Sequence, residues 1–470
     1  MKDFTKGPIM GALFGLAVPI VLTNLLHTAY QLVDTFWVGR LGAEAVAAVS
    51  LSFPAIFLMI SVGSGFSIAG TILVAQYKGK GDDKQVQHVT AQTMVLVVLV
   101  SAVLSLIGYF IAEPTVRLMG AEPNVLPDAA SYLRVSFIGM TFMFMFFVFQ
   151  SLMRGVGEVK TPMQIVFGTV MLNLFLDPLF INGYGSFEGM GVTGAAVATI
   201  LTQGLATVAG LYILFKGKRG IKLTFKGFKF DWPLVKKMFM LGLPSSVEQS
   251  MKALGFMIMS FLVASFGTMI LAAYGIGFRM LSFVIIPAFG LSMATSTLVG
   301  QNMGAGKPDR AEMIGKKSAM IGFWMLVLLG GIFAIFAKQI VTAFIPGDVE
   351  VIKEAAFFLR ILCIAFGFIG LQLTLSGVFQ GSGNTRMSMI LSLISLWMFE
   401  FPIAYVLSHH TGLGSTGLWV AYPISAALTA LISYGYFRFG RWKEMQLIDQ
   451  TEDAKLEREI LEEVMIEEGF

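Results

Sequence analysis

The 470-residue sequence predicts an all-α polytopic membrane protein with twelve transmembrane helices in two pseudo-two-fold related six-helix lobes. Three observations carry this. First, 56% of the residues are hydrophobic and only 13% charged, against about 25% charged in soluble domains, and the mean hydropathy is +0.77. A surface so poor in charge needs an apolar solvent, which excludes an ordinary soluble enzyme. Second, the apolar stretches are long enough for a bilayer core of ~30 Å, which takes about 20 helical residues. Third, the second half of the chain repeats the first.

The spans are expected at 9–38, 45–76, 88–113, 125–153, 161–184, 190–215, 233–265, 270–303, 314–340, 350–380, 387–408 and 414–437. The start, MKDFTKGPIMGALFGLAVPI, runs into the first span without a small-residue cleavage site, so no cleavable signal peptide is expected. Lys2, Lys6, Lys78, Lys80, Lys84, Arg154, Lys160, Lys307, Arg310, Lys316, Lys317, Arg386, Arg438, Arg441 and Lys443 fall in alternate loops. The opposite loops hold Arg40, Arg117, Lys338 and Lys353. The positive-inside rule then predicts cytoplasmic termini and a cell inner (plasma) membrane protein. The net charge of +4 reports orientation and not nucleic-acid binding.

Between the halves lies KGKRGIKLTFKGFKF, from 216 to 230, which reads as a basic cytoplasmic linker. The expected organisation is an amino-terminal lobe over 1–215, the linker over 216–232, a carboxy-terminal lobe over 233–438 and an acidic tail over 439–470. The tail pattern places Leu456, Ile460, Val464 and Met465 on one side of an amphipathic helix with a structural or solvating role.

A shift of 225 residues aligns Pro19 with Pro244, Gly42 with Gly267, Ala47-Ala48 with Ala272-Ala273, Gly65 with Gly290 and Gln76 with Gln301. The loop pattern QxxGxG occurs in both halves, as QYKGKG from Gln76 and QNMGAG from Gln301. One residue further on, AASYLR (129–134) pairs with AAFFLR (355–360), and RGVG with QGSG. Six spans per repeat is an even number, so both repeats share one orientation and are related by an axis along the membrane normal, with a cleft between them.

Several chemistries are excluded by inventory. One cysteine, Cys363, rules out a disulfide framework and a zinc ribbon, the four histidines show no HExxH spacing, and no GxxxxGK[ST] motif is present for direct ATP drive. What stands out is four acids inside spans: Asp34, Asp177, Glu248 and Glu400. A carboxylate at the centre of a spanning helix costs roughly 2.5–3.5 kcal/mol, so each is a functional candidate. His27, Tyr30, Gln31 and Asp34 are spaced as one polar stripe of the first span. Asp177 lies at similar depth in the fifth, one turn after Asn173 and before Pro178, which frees a backbone carbonyl. The two acids, each with an i−4 hydrogen-bonding residue, point to a shared proton or cation site. It is asymmetric: Met259 stands opposite Asp34, and Phe401 opposite Asp177 once Pro178 is matched to Pro402. Glu248 and Lys252 have the favourable i, i+4 order of a helix ion pair, and with Arg279 and Glu400 they form a possible carboxy-lobe polar site. The 29 methionines and 42 phenylalanines suit lipid-facing surfaces, cores and an adaptable cleft.

Together these residues resemble the multidrug and toxic compound extrusion (MATE) family of antiporters. The resemblance rests on AVPIVLTNLLHTAYQLVDTFWVGRLG, the two QxxGxG loops, RGVGEVKTP, and NLFLDPLFI with the following GVTGAAVAT, and it covers the chain except the acidic tail. It implies two lobes in a V, opening alternately to either side and exporting amphipathic, often cationic, compounds in exchange for H⁺ or Na⁺. Asp34 and Asp177 match the family's amino-lobe acidic pair, with Tyr30 and Asn173 as companions, as in the archaeal and DNA-damage-inducible-like branch. Na⁺ would take oxygens of Asp34, Asp177 and Asn173, and Pro19 matches a proline where the first helix of the family bends. No cofactor is implied, and the expected partners are small organic substrates, H⁺ or Na⁺ and membrane lipids, with a monomeric chain. Two alternatives stay open. A lipid-linked oligosaccharide flippase of the same superfamily would show a more cationic cavity. An intramembrane enzyme would need a nucleophile or metal ligands at one depth, and His409-His410 have no acidic partner nearby in sequence.

Overall fold

Apolar runs of this length fold as helices because no water is present in the bilayer core to satisfy an open backbone. The computed structural model describes residues 3–344, 349–445, 447 and 448. Among these, twelve helices are long and apolar enough to cross a membrane. The first half contains α1 (Ile9–Gly39), α2 (Ala43–Lys80), α3 (Asp83–Leu118), α4 (Leu126–Gly155), α5 (Lys160–Asn182) and α6 (Gly191–Lys216). A two-residue antiparallel ladder, β1 (Gly183–Tyr184) with β2 (Phe187–Glu188), closes the turn between α5 and α6.

The second half contains α7 (Trp232–Ala264), α8 (Thr268–Gly304), α9 (Pro308–Ile335), the short α10 (Ala337–Phe344) and α11 (Val349–Ser382). Its eleventh span is composite, α12 (Thr385–Leu393) running through a π-helical stretch (Ile394–Glu400) into α13 (Phe401–His409), and α14 (Ser415–Phe439) is the twelfth. The ninth span differs from the expected 314–340. It starts at Pro308 and stops at Ile335, and residues to 344 form the separate α10. Proline preset for the first helical turn explains the early start. Most of the expected tail helix lies outside the described residues; residues 441–444 form a 3-10 turn.

Each half packs in the same way. In the first, α4 lies against α2, α3 and α6; in the second, α11 lies against α8, α9 and α14. Across the molecule α1 packs on α8 and α7 on α2, while α2 and α8 cross each other. One repeat-related pair of glycines makes this crossing possible. A Cβ on Gly79 would stand 1.8 Å from the carbonyl oxygen of Gln301, and one on Gly304 1.9 Å from that of Gln76. Gln76 Nε2 donates to the Gly381 carbonyl at 3.2 Å and Gln301 Nε2 to the Gly155 carbonyl at 2.9 Å. The contact is therefore reciprocal, and its members are those the internal repeat relates. Deeper in, a Cβ on Gly65 would meet the Gly242 carbonyl at 2.2 Å, and one on Gly290 would meet Val21.

These contacts lie at the end of the molecule where residues 4–7 meet α8 and the start of α9. The segment before α1 crosses the same seam. Asn302 and Lys307 donate to the carbonyls of Phe4 and Thr5, at 3.3 and 3.2 Å, and Arg310 to that of Gly7 at 2.8 Å. Beyond α14, Trp442 is fully buried and stacks on Phe437 at 5.4 Å. Leu447 packs against the first-half core, and its carbonyl accepts from Lys237.

Candidate functional site

Asp34 and Asp177 sit on α1 and α5, which pack together, in the portion of the lobe remote from the linker. α5 continues through Pro178, which leaves the Leu174 carbonyl without its helical donor. Asp177 and Asn173 are both fully buried, and Asn173 Nδ2 donates to Asp177 Oδ1 at 2.5 Å. Asp34 is near enough to act electrostatically on Asp177, and both act on Tyr30 and Tyr132. Three buried oxygens here have no hydrogen-bond partner among the described residues: Asp34 Oδ1, Asp177 Oδ2 and Asn173 Oδ1. Uncompensated buried acceptors are costly, and a proton or a hard, oxygen-seeking cation would satisfy them. The donor set of two carboxylates and an amide oxygen fits Na⁺ as well as H⁺.

The polar stripe of α1 divides. Tyr30 is buried, but its hydroxyl pairs with Thr202 Oγ1 of α6 at 2.7 Å, not with Asp34. Gln31 is exposed. His27 lies beside Gln150 and edge-on to Phe147, with ring centroids 6.3 Å apart. Pro19 is buried within an uninterrupted α1, and its carbonyl accepts the Thr23 hydroxyl at 2.8 Å. Thr202 and Tyr132 join the site without having been singled out in the sequence, because neutral polar residues in a helix give no charge signal.

The carboxy-lobe candidates do not form one group. Glu248 is 3% exposed and fully engaged: Oε1 accepts from Lys252 Nζ at 2.6 Å and Ser392 at 2.8 Å, and Oε2 from Ser388 at 3.1 Å. Glu400 is on the eleventh span, beyond Ser388 and Ser392, at the end of the π-helical stretch and beside the Tyr274–Tyr422 hydroxyl pair. Arg279 is exposed and joins neither. Among the described residues no three His, Cys, Asp or Glu side chains come together as metal ligands.

Two repeated six-helix halves of membrane-spanning length, with buried carboxylates inside the spans, are the build of a membrane transporter. The profile of the MatE family matches residues 19–179 and 244–406, two segments whose starts are the repeat-related Pro19 and Pro244, and the chain belongs to this family. It is 33% identical over 440 residues to a probable multidrug resistance protein, YoeA, of Bacillus subtilis (strain 168), covering 92% of this chain and 93% of that one. It is 28% identical to YpnP of the same organism, a probable multidrug resistance protein, with 95% and 99% covered. A solved multidrug resistance MATE family transporter of the MOP superfamily, in an outward-facing conformation, superposes with a TM-score of 0.88 at 25% identity, covering 95% of this chain and 99% of that one. The protein is accordingly a multi-pass multidrug efflux transporter for small organic substrates, and not an enzyme.

Proposed function

We propose that the Asp34–Asp177–Asn173 pocket binds the coupling ion of an antiporter, H⁺ or Na⁺, and that amphipathic cationic substrates compete for the same negative charge. The observation that supports it most is the set of three buried oxygens without partners. When the cleft opens away from the linker, an ion from that side occupies the pocket, cancels the counter-charge of a bound cation and releases it. Return to the other state frees the ion. Substrate and ion thus exclude each other, and each shifts the population of the two states by its differential affinity.

In this reading the two lobes are 1–215 and 233–438, joined by the 216–232 linker, and the chain acts as a monomer among the lipids of the inner (plasma) membrane. The linker and both termini face the cytoplasm, in keeping with the basic loops. A cysteine placed in the linker should react with an impermeant reagent only from the cytoplasmic side.

The coupling test is dye efflux from proteoliposomes under separately imposed proton and sodium gradients. Asp34→Asn and Asp177→Asn should each abolish gradient-driven efflux while leaving folded protein in the membrane. Full transport by both would remove the assignment. Affinity for a cationic dye should fall as pH drops, and less so in Asp34→Asn. A flat response from pH 5 to 8 with displacement by sodium alone would assign sodium exchange instead.

A further inference from the structure

A second pocket in the same lobe has the opposite polarity. It lies near the linker end of α4, where Gln150 and Arg154 face Thr23 and Asn24 of α1 across a cavity of about 30 Å³ bounded by Ile20 and Pro162. That exceeds the roughly 10–15 Å³ one water needs. The Arg154 guanidinium meets only neutral groups among the described residues: Ser151 Oγ at 3.1 Å, Thr71 Oγ1 at 3.5 Å and Met293 Sδ of the other lobe at 3.6 Å. Gln150 Nε2, another donor on this pocket, is buried without a partner among the described residues. None of the residues lining the cavity is acidic. A planar guanidinium beside a free amide donor matches the two oxygens of a carboxylate.

The internal repeat argues against a purely structural role. Gln380 stands where the second half repeats Arg154, and its Nε2 reaches Ser376 and Ser388 hydroxyls at 3.5 and 3.4 Å. A neutral side chain thus occupies the repeat-related position, where it meets hydroxyls of α11 and α12, and the charge is peculiar to the first half. Along α1, Asp34 and Asn24 are separated by about 15 Å at 1.5 Å per residue, so the two pockets mark opposite ends of one polar track.

We propose that the Gln150–Arg154 pocket is an anion site that takes a singly charged acidic group, such as a substrate carboxylate, and so extends the cargo of the transporter to amphiphiles bearing an acid. This rests on the efflux reading but not on which ion drives it. A free halide has the same charge, and the test separates the two sources.

The probe is a dye pair differing by one charge, rhodamine 110 as the free acid and rhodamine 123 as its methyl ester, bound to the purified full-length protein and followed by fluorescence anisotropy. Loss of a hydrogen-bonded charge contact is worth about tenfold or more in affinity. The acid-to-ester affinity ratio should fall by about that factor in Arg154→Gln and partly recover in Arg154→Lys. Gln150→Leu should lower the ratio too, and it serves if Arg154→Gln does not fold. If the occupant is a free anion, chloride in place of gluconate should raise the melting temperature of the wild type and not of the variants. An unchanged ratio together with an unchanged chloride response in folded variants overturns the proposal. Ester efflux in the Asp34 and Asp177 variants is scored separately, so the failure of one reading does not mask the other.

Discussion

At Asp177 one carboxylate oxygen is engaged and the other is not, and Asn173 one turn earlier sets the difference. Asn173→Ala should remove a charge-assisted bond worth about 1.5–3 kcal/mol. Gradient-driven efflux should fall about tenfold or more in protein that stays folded despite a lower melting temperature; undiminished efflux would make the amide a packing contact only. A carboxylate outside the spans gives a pH signature of its own. Asp231 caps α7 by accepting from the Leu234 amide at 3.0 Å, and it meets His88 Nε2 at 2.9 Å. These contacts, the amide first, hold its carboxyl below the usual value of 3.8. A lowered folded-state pKa contributes stability that is present above the unfolded value and is lost as pH falls through the folded one. Asp231→Ala should therefore cost about 1 kcal/mol at neutral pH, with the difference in melting temperature closing below about pH 3.8. Legibility at this scale followed cost. Asp34 and Asp177 stood out because a charge in an apolar run is expensive. Thr202 left no trace, because a helical threonine can return its hydroxyl to its own backbone, as Thr202 does to Ala198 at 3.1 Å.

The eleventh span shows what hydropathy conveys about an element and what it does not. Its extent, Thr385–His409, lies within a few residues of the sequence expectation, but its inner construction was not legible. The π-helical turns end just before Pro402, which lacks a backbone donor and would crowd the carbonyl four residues back in a regular helix. Wider turns relieve that crowding. At the other end of the span, Ser388 and Ser392 dock on α7 through Glu248, with Lys252 as its counter-charge. Removing one member of a fully buried pair costs about 3–5 kcal/mol. Lys252 keeps 41% of its side chain exposed, and solvent screening reduces the figure. Lys252→Met should cost about 2 kcal/mol, read as a lower melting temperature in detergent. Adding Glu248→Gln should restore most of the loss, since no charge is then left uncompensated. A double variant as unstable as the single would assign the effect to lost lysine packing.

For the molecule as a whole, the 225-residue repeat was visible in the sequence, whereas the seam it builds required the coordinates. Repetition tells which positions correspond, not which of them touch. Gly79 and Gly304 oppose backbone carbonyls, which cannot swing aside as a flexible side chain would. Gly79→Ala and Gly304→Ala should each force the seam apart and favour the state open at the linker end. A several-fold rise in cysteine labelling near Gln76 or Gln301 would register this, and unchanged labelling in both would show that the seam tolerates the methyl. The reciprocity of the seam has a further consequence. A patch that meets its own repeat, with Gly79 on Gln301 and Gln76 on Gly304, has the form of an isologous dimer interface. The covalent linker then raises the effective concentration of two partners that already fit each other. The halves, co-expressed as separate chains cut within 216–230, should find one another in the membrane and co-purify, and Gly79→Ala should weaken that pairing.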